Sequence, residues 1–185
     1  MSKPEFTITN LSPRSRISTL FRIILVIPHA IIAGAWGYLM NALSLVQWII
    51  ILFTGKRNEG IWKLQNAYLG YAARVWSYYG LMFDKWPAIG PEPDGEPTTY
   101  SFQYDATASR LSNFFRPLWL IPAFVVALFV LIGAWFALVI SWFAILITGR
   151  HPDFLFGYLL KTHRFMVHLM ACLLHMSDAY PKFSA

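Results

Sequence analysis

Two long runs of apolar residues dominate the chain, and each is followed by about twenty residues that mix basic, polar and aromatic side chains. Residues 23–53 carry no charge unless His29 is protonated, and residues 117–148 contain no ionisable side chain. Apolar runs of about 18 residues or more are typical of membrane-embedded segments, because a core helix of a soluble protein shows a polar face at every turn. The pattern predicts an all-α integral membrane protein.

The two runs belong to a tandem repeat. Residues 16–28 read RISTLFRIILVIP and residues 110–122 read RLSNFFRPLWLIP, and an offset of 94 positions aligns the rest of the chain without a gap. Each feature of the unit is therefore expected twice. We divide the chain into a polar N-terminal segment (1–13), a first membrane repeat (14–87), a linker rich in proline, glycine and acidic residues (88–109) and a second membrane repeat (110–185).

The length of each apolar block leaves two ways of placing it in a membrane. Residues 17–53 would be about 55 Å long as one helix, whereas the hydrocarbon core of a bilayer is about 30 Å thick. Either a short interfacial helix ends near Pro28 and one crossing follows, or the block folds back as a hairpin. Basic residues flank each block on both sides, and such residues tend to stay cytoplasmic. We therefore expect two hydrophobic helical hairpins, one per repeat, in a multi-pass protein of the inner (cytoplasmic) membrane.

The third segment of each repeat is expected to be a basic, aromatic helix. The residues that share one helical face are Lys63, Asn66, Gly70, Arg74 and Ser77 in the first repeat, and Lys161, Arg164, His168 and His175 in the second. A narrow basic stripe on an otherwise aromatic helix suits the headgroup boundary of a membrane. The alternative is a third spanning helix whose stripe faces a protein neighbour.

Several recurring positions are expected to shape the backbone. Pro28 and Pro122 suit the first turn of a helix, and Thr-Gly-Lys/Arg closes each apolar block. Asp84 and Asp178 are each followed by an aromatic residue and proline, so each aspartate is expected to bond to its own backbone and stop a helix. The full set of structural motif residues is Pro28, Gly55, Asp84, Pro87, Pro122, Gly149, Asp178 and Pro181.

Composition and charge support a membrane location. Hydrophobic residues make up 57% of the chain and charged residues only 13%, whereas a soluble domain carries about 25% charged residues. The net charge of +6 favours the cytoplasmic face and its anionic lipids. Lysine and arginine do not cluster in a way that would follow a phosphate backbone, so no nucleic-acid partner is expected. The first sixteen residues are polar, unlike a cleavable signal peptide.

The sequence predicts no catalytic, metal or cofactor site. His168 and His175 lie about 10.5 Å apart along a helix, which is too far for both to ligate one metal ion. Cys172 is the single cysteine, so it has no partner for a disulfide or a thiolate metal site. No Gly-x-Ser-x-Gly elbow, P-loop or Gly-x-Gly-x-x-Gly motif occurs. We therefore expect a non-enzymatic protein without cofactors.

Both repeats carry the same signature, which reads R-x-S-x-x-F-R, then I-P, W, I-L-[FI]-T-G-[KR] and D-x-[WY]-P. With this signature the chain resembles a bacterial family, domain of unknown function 4389, in two tandem copies from about residue 14 to 183. The resemblance implies a membrane location and supplies no reaction or substrate. The chain departs from the family pattern at three kinds of position. Ala123 replaces a histidine, Pro117 follows the second arginine, and each terminal motif lacks its second proline.

The leading hypothesis is a membrane protein whose basic cytoplasmic collar engages anionic lipids or a membrane partner, including a second copy of the chain. The collar is predicted to contain Arg16, Arg22, Lys56, Arg74, Arg110, Arg116, Arg150 and Arg164. Two alternatives stay open. The chain could be an accessory subunit of a larger membrane complex, or a small transporter or channel that uses the interface between its repeats.

Overall fold

The computed structural model describes residues 2–90 and 97–183 and is mostly helical. The two repeats have the same plan: a strand, a short helical entry, a long apolar helix and a second long helix. The elements are β1 (Glu5–Ile8), α1 (Arg16–Leu20), α2 (Arg22–Thr54), α3 (Glu59–Tyr79), β2 (Thr98–Ser101), α4 (Arg110–Phe114), α5 (Arg116–Trp119), α6 (Ile121–Thr148) and α7 (Asp153–Leu173).

The elements stack in three layers. The long apolar helix of each repeat packs against its second long helix, α2 against α3 and α6 against α7. Helices α3 and α7 pack against each other in the middle layer, and the two strands pair on top of them. The middle layer is the core, because Leu69, Ala72, Ala73 and Ala171 are fully buried there. Small residues at this contact let the two helices approach closely.

A local two-fold axis relates the repeats. The strands pair antiparallel with Phe6 opposite Tyr100, and these two residues are 94 positions apart, so they are equivalent in the repeat. The axis therefore passes between them. On the inner side of the sheet, Gly70 of α3 faces Tyr100, while its equivalent Arg164 of α7 donates from Nε to the Phe6 carbonyl at 2.8 Å. Both are the twelfth residue of a 21-residue helix, so the sheet crosses the middle of α3 and α7.

The repeats exchange their short entry helices. Helix α1 packs on α6, and α4 packs on α2. Trp142 near the end of α6 donates its indole N–H to the Thr19 carbonyl at 3.1 Å, and Trp48 near the end of α2 donates to the Asn113 carbonyl at 3.3 Å. Each long helix therefore ends where the other begins, and α2 and α6 run antiparallel.

The predicted fold-back of the apolar block is wrong. Residues 22–54 form one continuous helix that includes Pro28, and the second block forms one helix from Ile121. The breaks lie earlier, at Phe21 and at residues 115 and 120. The hairpin of each repeat is made instead by the long apolar helix and the next helix. Basic flanks on one side of a membrane do not require a fold-back inside the apolar block, because the long helix pairs with the next helix of its repeat.

The predicted linker is part of the fold from residue 98 onward. Thr98 and Phe102 point inward and are buried, whereas Thr99 and Ser101 are exposed, which is the alternation of a half-buried strand. Likewise, the polar N-terminal segment contains β1. Residues 91–96, the acidic and proline-rich part of the linker, lie outside the described residues.

Gly55 and Gly149 end the long helices as predicted for the Thr-Gly-Lys/Arg motif. Both adopt left-handed backbone conformations, with φ of 69° and 71°. A left-handed residue at this position lets its N–H bond back to the last turn, here to Ile51 and Ile145 at 2.8 Å. Pro122 lies in the first turn of α6 as expected, whereas Pro28 lies inside α2.

Candidate functional site

The long helices α2 and α6 carry an extended apolar surface. Each contacts the body along one narrow stripe, which in α2 recurs every three or four residues from Ala33 to Ile51. The rest of the circumference is exposed and apolar. This surface, called the apolar face here, includes Ile23, Ile27, Ile31, Leu39, Leu45, Ile49 and Phe53 of α2 and Ile121, Val125, Leu128, Phe129, Ile132, Phe136, Ile140, Phe143 and Ile147 of α6.

Both helices are long and apolar enough to cross a membrane, one in each repeat. Only 28% of the most apolar 18-residue stretch of α2 is buried. For the most apolar stretch of residues 116–148 the buried share is 22%. A core helix of a soluble protein is mostly buried, so these helices are not core helices. Exposed apolar surface of this extent marks a contact with a membrane or a partner.

Four of the eight predicted collar residues are exposed at the ends of the apolar face. Arg16 and Arg150 lie at one end, where Arg16 donates from Nη2 to the Ile147 carbonyl at 3.0 Å. Lys56 and Arg110 lie at the other end, and Arg110 Nε is 3.2 Å from the place where a β-carbon on Gly55 would lie. Each arginine also complements the negative end of a helix. These four residues are called the rim cations.

Arg22 and Arg116 are buried, and the expectation that they face headgroups is corrected. Arg22 donates to Asp84 Oδ1 at 2.5 Å and to the Phe83 carbonyl at 2.8 Å. Arg116 donates to Asp178 Oδ1 at 2.5 Å and to the Ser177 carbonyl at 2.7 Å. A guanidinium group that leaves water must be paired and hydrogen-bonded. The two arginines therefore tie the start of each apolar block to the end of the same repeat.

Each aspartate also accepts a backbone N–H from the entry helix. Ser15 donates to Asp84 Oδ2 at 2.8 Å, and Ser109 donates to Asp178 Oδ2 at 3.1 Å. Arg57 adds a second cation to Asp178, at 2.7 Å from Oδ2. The sequence interpretation of these aspartates as local helix stops missed the ion pairs. A signal was present, because arginine and aspartate are 62 positions apart in both repeats.

The remaining two predicted collar residues lie away from the apolar face. Arg74 is buried and donates to the carbonyls of Ala88 and Gly90, so it fixes the chain that follows the first repeat. Arg164 is exposed on α7 beside β1. The polar stripe of the third segments therefore faces the strands and the ends of the repeats, contrary to the expected contact with headgroups, because those segments form the middle layer.

Most of the histidines lie in packing contacts inside the fold. Burial lowers the pKa of His163 to about 4, and its Nε2 lies 3.2 Å from the Ala73 carbonyl. Burial also lowers the pKa of His151 to about 4 and that of His175 to about 3. Burial raises the pKa of Cys172 to about 12, so its thiol stays protonated. Within residues 2–90 and 97–183, no group of three histidine, cysteine or acidic side chains is placed to hold a metal ion.

Ser44 and His175 form a close pair, with Oγ and Nδ1 2.8 Å apart. The Ser44 hydroxyl also lies 3.1 Å from the Leu173 carbonyl, which can accept its proton. The pair joins α2 to the segment after α7 and is buried at the serine. The pair therefore connects the two repeats, and the sequence pattern did not predict this contact.

No curated protein and no solved structure matches this chain. The family model described as domain of unknown function (DUF4389) matches twice, at residues 16–89 and 110–185. These two matches cover the repeats and leave out β1 and β2, which the structure shows to be repeat-equivalent as well. The chain therefore belongs to the DUF4389 family, as a tandem of two copies of its domain.

Proposed function

We propose that this chain is a non-enzymatic membrane protein that lies along one leaflet, with α2 and α6 parallel to the membrane surface, and holds anionic lipids with its rim cations. The observation that carries the proposal is the division of its surface. The apolar face lies on one side of the molecule, and the two-stranded sheet with exposed Glu5, Thr7, Thr99 and Ser101 lies on the other.

The position of the sheet favours helices that lie in the membrane plane over helices that cross it. The middle of α2, at Gly37, contacts Tyr68 of α3, and Gly70 in the same part of α3 faces Tyr100 of the sheet. The sheet is therefore level with the middle of the apolar helices. If those helices crossed the bilayer, an open two-stranded sheet would lie at its centre, where unpaired backbone groups at a sheet edge are not tolerated.

The helix length agrees with this orientation. Helix α2 has 33 residues, which gives about 50 Å at 1.5 Å per residue, well beyond the hydrocarbon thickness of about 30 Å. A helix that lies flat meets no such limit. It buries its apolar surface about 5–10 Å into the boundary between headgroups and acyl chains.

The in-plane orientation also brings the rim cations to one membrane surface. The two-fold axis exchanges Arg16 with Arg110 and Lys56 with Arg150, because each pair is 94 positions apart. With the axis along the membrane normal, all four cations reach headgroups of one leaflet. Each basic residue near an anionic surface contributes about 1 kcal/mol of attraction. We propose the cytoplasmic leaflet of the cell membrane, where anionic lipids are available.

The other two hypotheses receive less support. A pathway between the repeats would run along the contact of α3 with α7, where Ala73, Val167 and Ala171 are buried. The cleft of about 370 Å³ beside this contact is lined mainly by apolar side chains, which does not suit a polar or charged cargo. An accessory subunit would use an exposed apolar surface for a protein neighbour. The apolar face could serve that role, but its rim of four cations is complementary to lipid headgroups.

The test of lipid engagement is the selectivity of the protein for phosphatidylserine over phosphatidylcholine, measured with spin-labelled lipids. The variant R16Q/K56Q/R110Q/R150Q removes the rim cations and lowers the net charge from +6 to +2 (6 − 4). The matched control K3Q/K63Q/K161Q/K182Q has the same charge but keeps the rim. We expect selectivity in the wild type and the control and its loss in the rim variant. Equal loss in both variants would contradict a specific role of the rim.

A further inference from the structure

A basic cleft opens on the flank of α7, beside β1. It has a volume of about 310 Å³ and is lined by Lys3 and Glu5 near the N-terminus, by Lys161, Arg164 and His168 of α7 and by Lys182 near the C-terminus. No residue of α2 or α6 lines it. The cleft is therefore separate from the apolar face, and the residues that form it come from three distant parts of the chain.

The cations of the cleft have no acidic partner in the part of the chain that the structure describes. Lys3, Lys161, Arg164 and Lys182 contribute four positive charges and Glu5 one negative charge, which leaves a local charge of +3 (4 − 1) with His168 neutral. Among the described residues, no carboxylate lies within ion-pair distance of these four cations. The four cations are exposed around one cleft, and a cleft lined by one sign of charge raises the local potential and attracts anions from solution.

The first repeat shows that the fold does not require this charge. The positions equivalent to Lys3, Lys161, Arg164 and Lys182 are Pro97, Ala67, Gly70 and Ala88. Those four residues are uncharged, and the same helix, strand and axis form around them. The four cations occur in one repeat only, and the fold forms around uncharged residues in the other, which points to a ligand and not to folding.

Arg164 is already oriented for an anion. Its Nε donates to the Phe6 carbonyl at 2.8 Å, which holds the plane of the guanidinium group beside β1 and leaves its two terminal nitrogens to donate elsewhere. A guanidinium group presents these donors in the fork that matches phosphate oxygens. His168 adds a side chain whose Nε2 is buried without a hydrogen-bond partner among the described residues.

We propose that this cleft binds a small phosphorylated anion with about three negative charges, the class that includes inorganic pyrophosphate and organic diphosphates. Its volume lies at the lower end of the range for small-molecule sites, about 300–1,000 Å³. The ligand would be taken from the aqueous side, since the lining contains β1 and the C-terminal segment. The access of the ligand from water rests on the membrane orientation proposed above, whereas the match of the cleft to a phosphorylated anion rests on its lining alone.

The test is calorimetric titration of sodium pyrophosphate into the full chain held in nanodiscs of phosphatidylcholine, at about 0.15 M salt. These nanodiscs contain no anionic lipid, so failure of the rim cations to bind lipid would not affect the result. We expect saturable binding of one pyrophosphate. In K161Q/K182Q, each lost charge-assisted hydrogen bond should raise Kd about tenfold. The control K63Q/K85Q removes two exposed lysines outside both the cleft and the rim and should bind as the wild type does.

Three outcomes would overturn the proposal. Pyrophosphate could fail to saturate, or K161Q/K182Q could bind as tightly as the wild type. Equal weakening in K63Q/K85Q would show that net charge, and not the cleft, attracts the anion. A further arm adds phosphatidic acid to the nanodiscs. Cleft-dependent binding of that lipid without binding of pyrophosphate would assign the cleft to a lipid headgroup and would equally contradict a soluble ligand.

Discussion

At the scale of single residues, the basic side chains of this protein divide into three groups with different partners. Arg22 and Arg116 are 2% exposed and hold the aspartates that end each repeat. The rim cations are exposed beside the apolar face, and the cations of the cleft surround an open space on the flank of α7. The net charge of +6 therefore does not describe one basic surface, because buried arginines, rim cations and cleft cations lie in three different environments.

The most sensitive buried ion pair should be that of Asp178, because two arginines share it. Asp178→Asn leaves Arg57 and Arg116 without their carboxylate in a buried site, and loss of one partner from a buried pair costs about 3–5 kcal/mol. We expect that loss in the free energy of unfolding, measured by denaturant titration in detergent. The control Glu59→Gln breaks an exposed pair with Lys63 and should change the free energy of unfolding far less, because water screens both charges. Similar values for the two variants would contradict the buried network.

His163 should make the protein less stable in acid. Its pKa is about 4 in the folded protein because of burial and about 6.5 in the unfolded chain. As the pH falls from 6.5 to 4, the unfolded chain therefore takes up a proton that the folded protein does not. Stability is lost across that window, by about 2 kcal/mol at pH 5 from this residue. Thermal unfolding followed by circular dichroism should show a smaller decline in His163→Gln, and an unchanged pH profile in that variant would contradict the assignment.

At the scale of elements, close helix contacts depend on glycines that face tyrosines. A β-carbon on Gly133 would lie 2.3 Å from the Tyr158 hydroxyl, which donates to the Val130 carbonyl at 3.0 Å. A similar contact in the first repeat joins Gly37 and Tyr68. The two contacts lie at different positions of the repeat, because the residue equivalent to Gly37 is Leu131. Each contact sets how closely an apolar helix approaches its second helix.

Gly133→Ala should therefore destabilise the contact of α6 with α7. The added methyl group displaces the Tyr158 ring and its hydrogen bond, at an expected cost of about 1–3 kcal/mol. Gly34→Ala is the matched control, because nothing lies within 4 Å of its added carbon, and alanine favours a helix over glycine by about 1 kcal/mol. Denaturant titration should give opposite signs for the two variants. A stabilised Gly133→Ala would contradict the described packing.

The sequence predicted some elements well and others poorly, for physical reasons. The Thr-Gly-Lys/Arg motif predicted where the long helices end, at Gly55 and Gly149, since a helix stop is a local property. Strands β1 and β2 were not predicted, because each has only four residues, with side chains that alternate in exposure, and lies beside proline-rich or polar segments. The fold-back was wrong because topology was inferred from charge alone. The partners of Arg22 and Arg116 are 62 positions distant, and local patterns do not show such contacts.

At the scale of the whole molecule, the two-fold axis links the fold to the proposed function. It passes through the pair of Phe6 and Tyr100, relates two antiparallel apolar helices and places a polar sheet opposite them. If the axis stands along the membrane normal, both ends of each long helix meet the same membrane surface. If the axis lay in the membrane plane, the two ends would lie on opposite sides.

The most direct test of this account is the side of the membrane that Ser12 and Ala106 face. These exposed residues are equivalent in the repeat and lie at opposite ends of the apolar face, Ser12 beside Arg150 and Ala106 bonded to the Arg57 N–H. Each is replaced by cysteine in a Cys172→Ser background, and sealed vesicles are treated with a membrane-impermeant thiol reagent before and after permeabilisation. The account predicts that both positions react from the same side. Reaction of one from outside while the other needs permeabilisation would contradict it.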